Sequence, residues 1–172
     1  MKTPDKVFVD LISKHQKIIH KVCNVYCHTL EDRQDLFQEI VLQLWRAYPN
    51  FKGEAKFTTW LYRVALNTAI TQKRKQQKSM VGPGQTLGDL QITDSSQEQI
   101  ENQQLLQMLI NSLNDVEKSI IFLYLEENSY EEIAHIMGMS KSNVSVKLVR
   151  IKKKLEKRFK QENNTSHRDK TK

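Results

Sequence analysis

The chain has 172 residues, 27 Lys+Arg against 20 Asp+Glu for a net charge of +7, and 38% hydrophobic residues, which suits one ordinary domain or two small ones with modest cores. Its longest apolar run, Ile120 to Leu125, is six residues, far short of the ~20 that span a membrane, and its two cysteines, Cys23 and Cys27, make no disulfide framework. The opening MKTPDKVF lacks the apolar stretch of a secretory signal, so a cytoplasmic setting away from membranes is expected.

Charge is arranged in blocks. Ala55 to Lys78 holds six basic residues and no acid, Ser79 to Ser140 holds ten acids and only Lys118, and Lys141 to Lys172 holds twelve basic and three acidic residues. Basic blocks are the usual footprint of nucleic-acid binding, and an acidic block more often faces a protein. Charge runs are also often solvated helix faces.

Phe8, Leu11, Ile12, His15, Ile18, Ile19, Val22, Cys23 and Tyr26 recur at helical spacing and predict a first amphipathic helix. His20, Cys23, Cys27 and His28 cluster along it. Zinc takes such ligands, but cysteine also packs as a small hydrophobe; buried thiols beside a surface imidazole are expected, with no metal. Glu31 to Tyr48 is a second helix with Leu36, Ile40, Val41, Leu44 and Trp45 on one side, stopped at Pro49-Asn50. NFKGEAKF then makes a polar loop around Gly53. Thr58 or Thr59 is placed to cap a third helix, whose inner stripe is Trp60, Leu61, Val64, Ala65 and Thr68 and which ends in ITQKRKQQK.

Ser79 to Gln99, rich in Gly, Pro, Ser and Gln, breaks the pattern and reads as a linker. Helical spacing resumes at Ile100, Leu105, Leu109 and Leu113. Asn114 with Glu117, and Ser129 with Glu132, have capping-box spacing. Gly138 falls where a helix end wants a left-handed residue, and Ser140 can cap the last helix. That helix carries Val144, Leu148, Ile151 and Leu155 on one stripe. The layout is helix-turn-helix, whose second helix enters the major groove. Ser142, Ser145, Val146 and Val149 point away from the stripe, surrounded by Lys147, Arg150, Lys152, Lys153 and Lys154. Valine facing water invites a cover; a thymine methyl is one, another helix of the chain is the alternative. The fold expected is all-α: two small helical domains at 5–78 and 100–160, a flexible linker at 79–99 and a disordered tail at 161–172.

Residues 31 to 78, with DLFQEIVLQLW and FKGEAKFTTWLYRVALNTAI, and the later stretch SLNDVEKSIIFLYLEENSYEEIAHIMGMSKSNVSVKLVRIKKKLEK, together resemble the extracytoplasmic-function (ECF) sigma factors. The resemblance spans about residues 5 to 160 and rests on two motifs in the right order. It implies a protein that binds RNA polymerase core and directs it to promoter DNA, the first domain opening the −10 element and the second reading the −35 element. It places polymerase binding on Asp35, Gln38, Glu39 and Leu42, which share one helical side; without the resemblance, Asp35 and Glu39 would read as a solvated pair. It places −10 contacts on Lys56, Trp60, Arg63, Asn67, Thr71 and Arg74. Phe57, Trp60 and Tyr62 among basic residues suit stacking on single-stranded bases, while Trp60 also lies on the inner stripe. It places −35 contacts on Ser142, Ser145, Val146, Lys147, Val149, Arg150 and Lys153. An anti-sigma protein is a further partner that the resemblance admits.

No catalytic constellation stands out, and GPGQTLG lacks the Lys-Ser/Thr ending of a phosphate-binding loop; neither an enzyme nor a cofactor is expected. The rival reading is a helix-turn-helix regulator that binds operator DNA without polymerase. Such a protein binds duplex DNA alone, whereas a sigma factor needs core.

Overall fold

The computed structural model describes residues 6–79 and 105–169, and every described regular element is helical. The chain divides into two units, Met1–Leu90 and Gln91–Lys172. The expected linker lies, apart from Ser79, outside the described residues, as do Ile100 and residues 170–172.

In the first unit α1 (Lys6–Tyr26), α2 (Leu30–Ala47) and α3 (Phe57–Ser79) pack pairwise against one another. Phe8, Ile12, Ile19, Val22, Cys23 and Tyr26 are the buried face of α1, opposite Leu36, Ile40 and Leu44 of α2. Thr29 caps α2 by accepting from the Asp32 N–H at 3.1 Å, and Glu31 and Asp32 set negative charge at the positive end of the helix dipole. Arg33 bridges the α1–α2 corner, donating from Nε to the Cys27 carbonyl at 3.3 Å and from its second amino group to the His28 carbonyl at 3.2 Å. Pro49 turns the end of α2 into a 3-10 turn at Tyr48–Asn50.

Two sequence expectations for α3 change. Neither Thr58 nor Thr59 caps it: the helix already starts at Phe57, and the Lys56 carbonyl accepts the first-turn N–H of Trp60 at 3.2 Å. The buried face is Leu61, Tyr62, Ala65, Leu66, Ala69 and Ile70, while Trp60, Val64 and Thr68 are only half-buried. The helix is turned toward Tyr62 and Leu66 because α1 and α2 both pack on it, and a two-sided contact needs a wider apolar arc than one stripe.

In the second unit a helical stretch at 105–111 precedes α4 (Asp115–Leu125), α5 (Tyr130–Met137) and α6 (Lys141–Asp169). Both capping boxes form: Asn114 Oδ1 accepts from the Glu117 N–H at 2.9 Å while Glu117 accepts from the Asn114 N–H at 2.9 Å. Ser129 and Glu132 repeat the exchange at 3.2 and 3.0 Å. Gly138 ends α5 at φ 66°, and the Met139 N–H returns to the Ala134 carbonyl at 3.0 Å. Ser140 accepts from the Asn143 N–H at 3.2 Å and starts α6. The core joins Ile120 and Leu123, Ile133 and Ile136, and Val144, Leu148 and Ile151. Lys118 is buried in this unit, donating to Asn111 at 3.2 Å. The last helix does not stop at 160: α6 runs to Asp169 through residues expected to be a disordered tail. No Gly or Pro interrupts it, and Lys160 pairs with Glu156 one turn back at 2.6 Å, so local propensity carries the helix on.

Candidate nucleic-acid and protein interfaces

The turn fixed by Gly138 and Ser140 sets the start of α6, and the buried stripe sets its rotation. Val144, Leu148 and Ile151 are fully buried. By helical spacing this leaves Ser142, Val146, Val149 and Lys153 facing directly outward. Val146 and Val149 are 48% and 51% exposed. Arg150 is exposed beside them, and Ser145 is half-buried at the edge. The covering helix that the sequence left open as an alternative is not there among the described residues of this unit.

The cations around this face are not equivalent. Arg150, Lys152, Lys153 and Lys154 are all exposed; Arg150 and Lys153 enter no ion pair among the described residues, though Lys153 bears on the Glu156 charge. Lys147 is half-buried on the shoulder nearer α4, close enough to bear on the Glu117 charge. Lys154 Nζ lies 2.8 Å from Glu117 Oε2. Lys152 Nζ donates to Tyr124 Oη at 3.0 Å and sits 4.1 Å from the centre of that ring. Burial works to raise the Glu117 carboxyl, but the hydrogen bonds from Lys154 and the Asn114 N–H outweigh it and hold the pKa below its ordinary value. The Tyr124 hydroxyl holds the Lys152 ammonium above its own. The sequence grouped Lys152 and Lys154 with the outward cations; the partners that withdraw them lie 28 and 37 residues away, and no local pattern signals them.

On α3, Arg63, Asn67, Thr71 and Arg74 are all exposed at steps of four, four and three, one ridge along the helix. Lys56 is exposed just before its start. Trp60 sits half-buried at the head of the ridge in an aromatic cluster that sequence reading missed: its ring centroid is 5.0 Å from Phe51, 5.5 Å from Phe57 and 6.4 Å from Tyr48. Phe51 and Phe57 flank the polar loop six residues apart, and that bracket was the available signal. Tyr62 leaves the set of rings suited to bases, since at 6% exposure it is core.

On α2, Asp35 and Gln38 are exposed and Glu39 and Leu42 half-buried; Asp35, Gln38 and Leu42 face away from Leu36, Ile40 and Leu44, and Glu39 lies on the shoulder between. Glu39 accepts from Gln43 Nε2 at 2.7 Å. Cys23 is buried and Cys27 half-buried: burial, followed by the neighbouring Cys27, pushes the Cys23 thiol up to about 12, and burial with Asp32 pushes Cys27 up to about 11. His20 stacks on Phe37 at 4.6 Å. Among the described residues no three His, Cys, Asp or Glu side chains are arranged to hold a metal ion, and no helix is long and apolar enough to cross a membrane.

Residues 11–79 match the sigma-70 region 2 family and residues 103–155 the sigma-70 region 4 family. The chain is 29% identical over 170 residues to the ECF RNA polymerase sigma-E factor of Escherichia coli, covering 90% of this chain and 87% of that protein. It is 27% identical over 165 residues to the RNA polymerase sigma-H factor of Pseudomonas aeruginosa, covering 88% and 86%. In fold it resembles the sigma factor RpoE of Bartonella quintana, solved in complex with the anti-sigma factor NepR, at TM-score 0.70 and 17% identity over 91% of this chain and 98% of that one. It also resembles CnrH, solved in complex with the cytosolic domain of CnrY, at TM-score 0.63 and 19% identity over 87% and 84%.

Proposed function

The chain belongs to the sigma-70 family, in its extracytoplasmic-function group, and from that premise we propose a division of labour along it. The protein is a transcription initiation factor that acts with RNA polymerase on promoter DNA. Within that function, residues 5–78 grip core polymerase through the outward face of α2, Asp35, Gln38, Glu39 and Leu42. The same segment engages the −10 element through Lys56, Trp60, Arg63, Asn67, Thr71 and Arg74. Residues 100–160 read the −35 element through Ser142, Ser145, Val146, Lys147, Val149, Arg150 and Lys153. The chain performs no catalysis of its own and works in the cytoplasm.

One observation carries this reading: two half-exposed valines, Val146 and Val149, beside the exposed Arg150 and Lys153, on a helix anchored through the opposite stripe. An apolar strip framed by cations matches a major-groove wall, where thymine methyls lie between phosphates. The ridge from Arg63 to Arg74 supports the −10 assignment in the same way, with an exposed amide between two guanidinium groups. Trp60 has its ring partly held by Phe51 and Phe57, so only part of it is open to a base. An anti-sigma protein is proposed as a further partner, since the Bartonella quintana sigma factor of similar fold was solved with one.

Run-off transcription with core polymerase tests the function directly. Addition of this chain is expected to produce discrete promoter-dependent transcripts that core alone does not make. Transcripts unaffected by the chain, together with tight operator-like binding by the chain alone, would replace this reading with a polymerase-independent regulator.

A further inference from the structure

The outward face of α6 is useful only if the helix is held at one rotation. The apolar stripe of Val144, Leu148 and Ile151 fixes which side is buried, but side chains of similar size tolerate small rotations and slides. Two polar anchors lie on either shoulder of that stripe. Lys154 reaches Glu117 in the first turn of α4, and Lys152 reaches Tyr124 in its last turn. The two attachment points are seven residues apart on α4, about 10 Å along its axis. Each is itself held. Glu117 is tied into the start of α4 by its bond from the Asn114 N–H at 2.9 Å, and the Tyr124 ring lies 6.3 Å from that of Tyr130 at the start of α5.

We propose that Lys152 and Lys154 are positioning residues and not phosphate ligands: pinned to the two ends of α4, they set the rotation and tilt at which α6 presents Val146, Val149 and Arg150. This inference rests on the promoter-reading role proposed above for that face. Two exposed cations that formal charge would assign to DNA are thereby committed to partners on α4, and the phosphate-facing charge is carried by Arg150 and Lys153. Lys147, close to Glu117 on the Lys154 side, adds positive potential there without making the anchor.

The two roles leave different marks on binding. A phosphate contact weakens binding to all sequences alike and lowers the salt slope by about one. An anchor alters how well the correct sequence is distinguished and leaves the slope alone. Holoenzyme reconstituted from the full chain and core polymerase is titrated over roughly 50–200 mM salt. The probes are a promoter fragment that supports run-off transcription and the same fragment with its −35 element scrambled. Lys154→Met and Lys152→Met are each expected to keep the slope and to lower the ratio of promoter to scrambled affinity by up to about five-fold, the upper end for an exposed contact. Lys154→Arg should restore the ratio. Lys153→Met should instead make the slope shallower by about one. A ratio that does not fall in the Lys152 and Lys154 variants overturns the inference, above all if the slope drops in its place.

A urea-unfolding cycle on the free chain with Glu117→Gln, Lys154→Met and the double variant separates this failure from failure of the functional reading. The two single changes should be non-additive whether or not polymerase binds. Absence of coupling would remove the anchor, while absence of promoter-specific binding by the unaltered holoenzyme would remove the function.

Discussion

Val149 stands half out of a helix otherwise clothed in ammonium and guanidinium groups. If it meets a thymine methyl, Val149→Ser should cost on the order of 1 kcal/mol at a single base pair. Binding to a panel of −35 variants checks this, and equal weakening across the panel would assign the residue a different role. Arg150→Ala should lower promoter-specific transcription while pull-down of core is unchanged. The thiols make a pH prediction of the opposite kind, about stability. Burial raises Cys23 from 9.0 to about 12 and Cys27 to about 11, so the folded state holds these protons more tightly than the unfolded chain. Their contribution is fully present below pH 9.0 and is lost as pH rises toward 11–12. The urea midpoint should therefore fall across that window, and Cys23→Ala should make the fall shallower. For the same reason both thiols should alkylate slowly in native protein near neutral pH.

Single helices show two solutions to the same problem of stopping. The end of α5 uses Gly138 at φ 66°, while the end of α4 puts Glu127 at φ 61°. A side chain in that region costs roughly 1–2 kcal/mol. Gly138→Ala should destabilise the second unit by about that amount, and Glu127→Gly, at an exposed site, should stabilise it by about 1 kcal/mol. Urea midpoints at constant slope measure both. The outward face of α2 is tested as a face. Asp35→Lys with Glu39→Lys should abolish association with core polymerase and leave helix content unchanged, because the core-facing Leu36, Ile40 and Leu44 lie on the other side. Unimpaired pull-down would move the docking surface off this helix. Removal of residues 162–172 should leave promoter-directed transcription intact, since no proposed contact lies there.

Across the whole chain, basic blocks flank an acidic one within a net charge of +7. Each proposed reading surface is small: one ridge on α3 and one face of α6, the latter with fewer available cations than its composition suggests. The free protein should bind promoter DNA weakly and with strong salt dependence, because most of that binding is counterion release. Tight, sequence-specific binding should require core polymerase, if core engages both units together as the division of labour proposed above has it. Gel-shift titrations with and without core measure this.

Most helix ends and the buried stripe of α6 were legible in the sequence, whereas the start and buried face of α3 and the end of α6 were not. Capping boxes, the Gly138 stop, the Pro49 break and the Val144–Leu148–Ile151 stripe depend on residues three or four apart, and such neighbours are legible in the sequence. The outward placement of Val146 and Val149 follows from the same periodicity; that of Arg63 and Asn67 waited on which side of α3 is buried. Tertiary structure alone decided that Tyr62 is core and Trp60 half-covered by Phe51 and Phe57. It also decided that Lys152 and Lys154 belong to Tyr124 and Glu117. Those outcomes depend on which helix arrives from 28 or 37 residues away. An ammonium group binds a phosphate or a carboxylate equally well on paper, so only packing settles which one it meets.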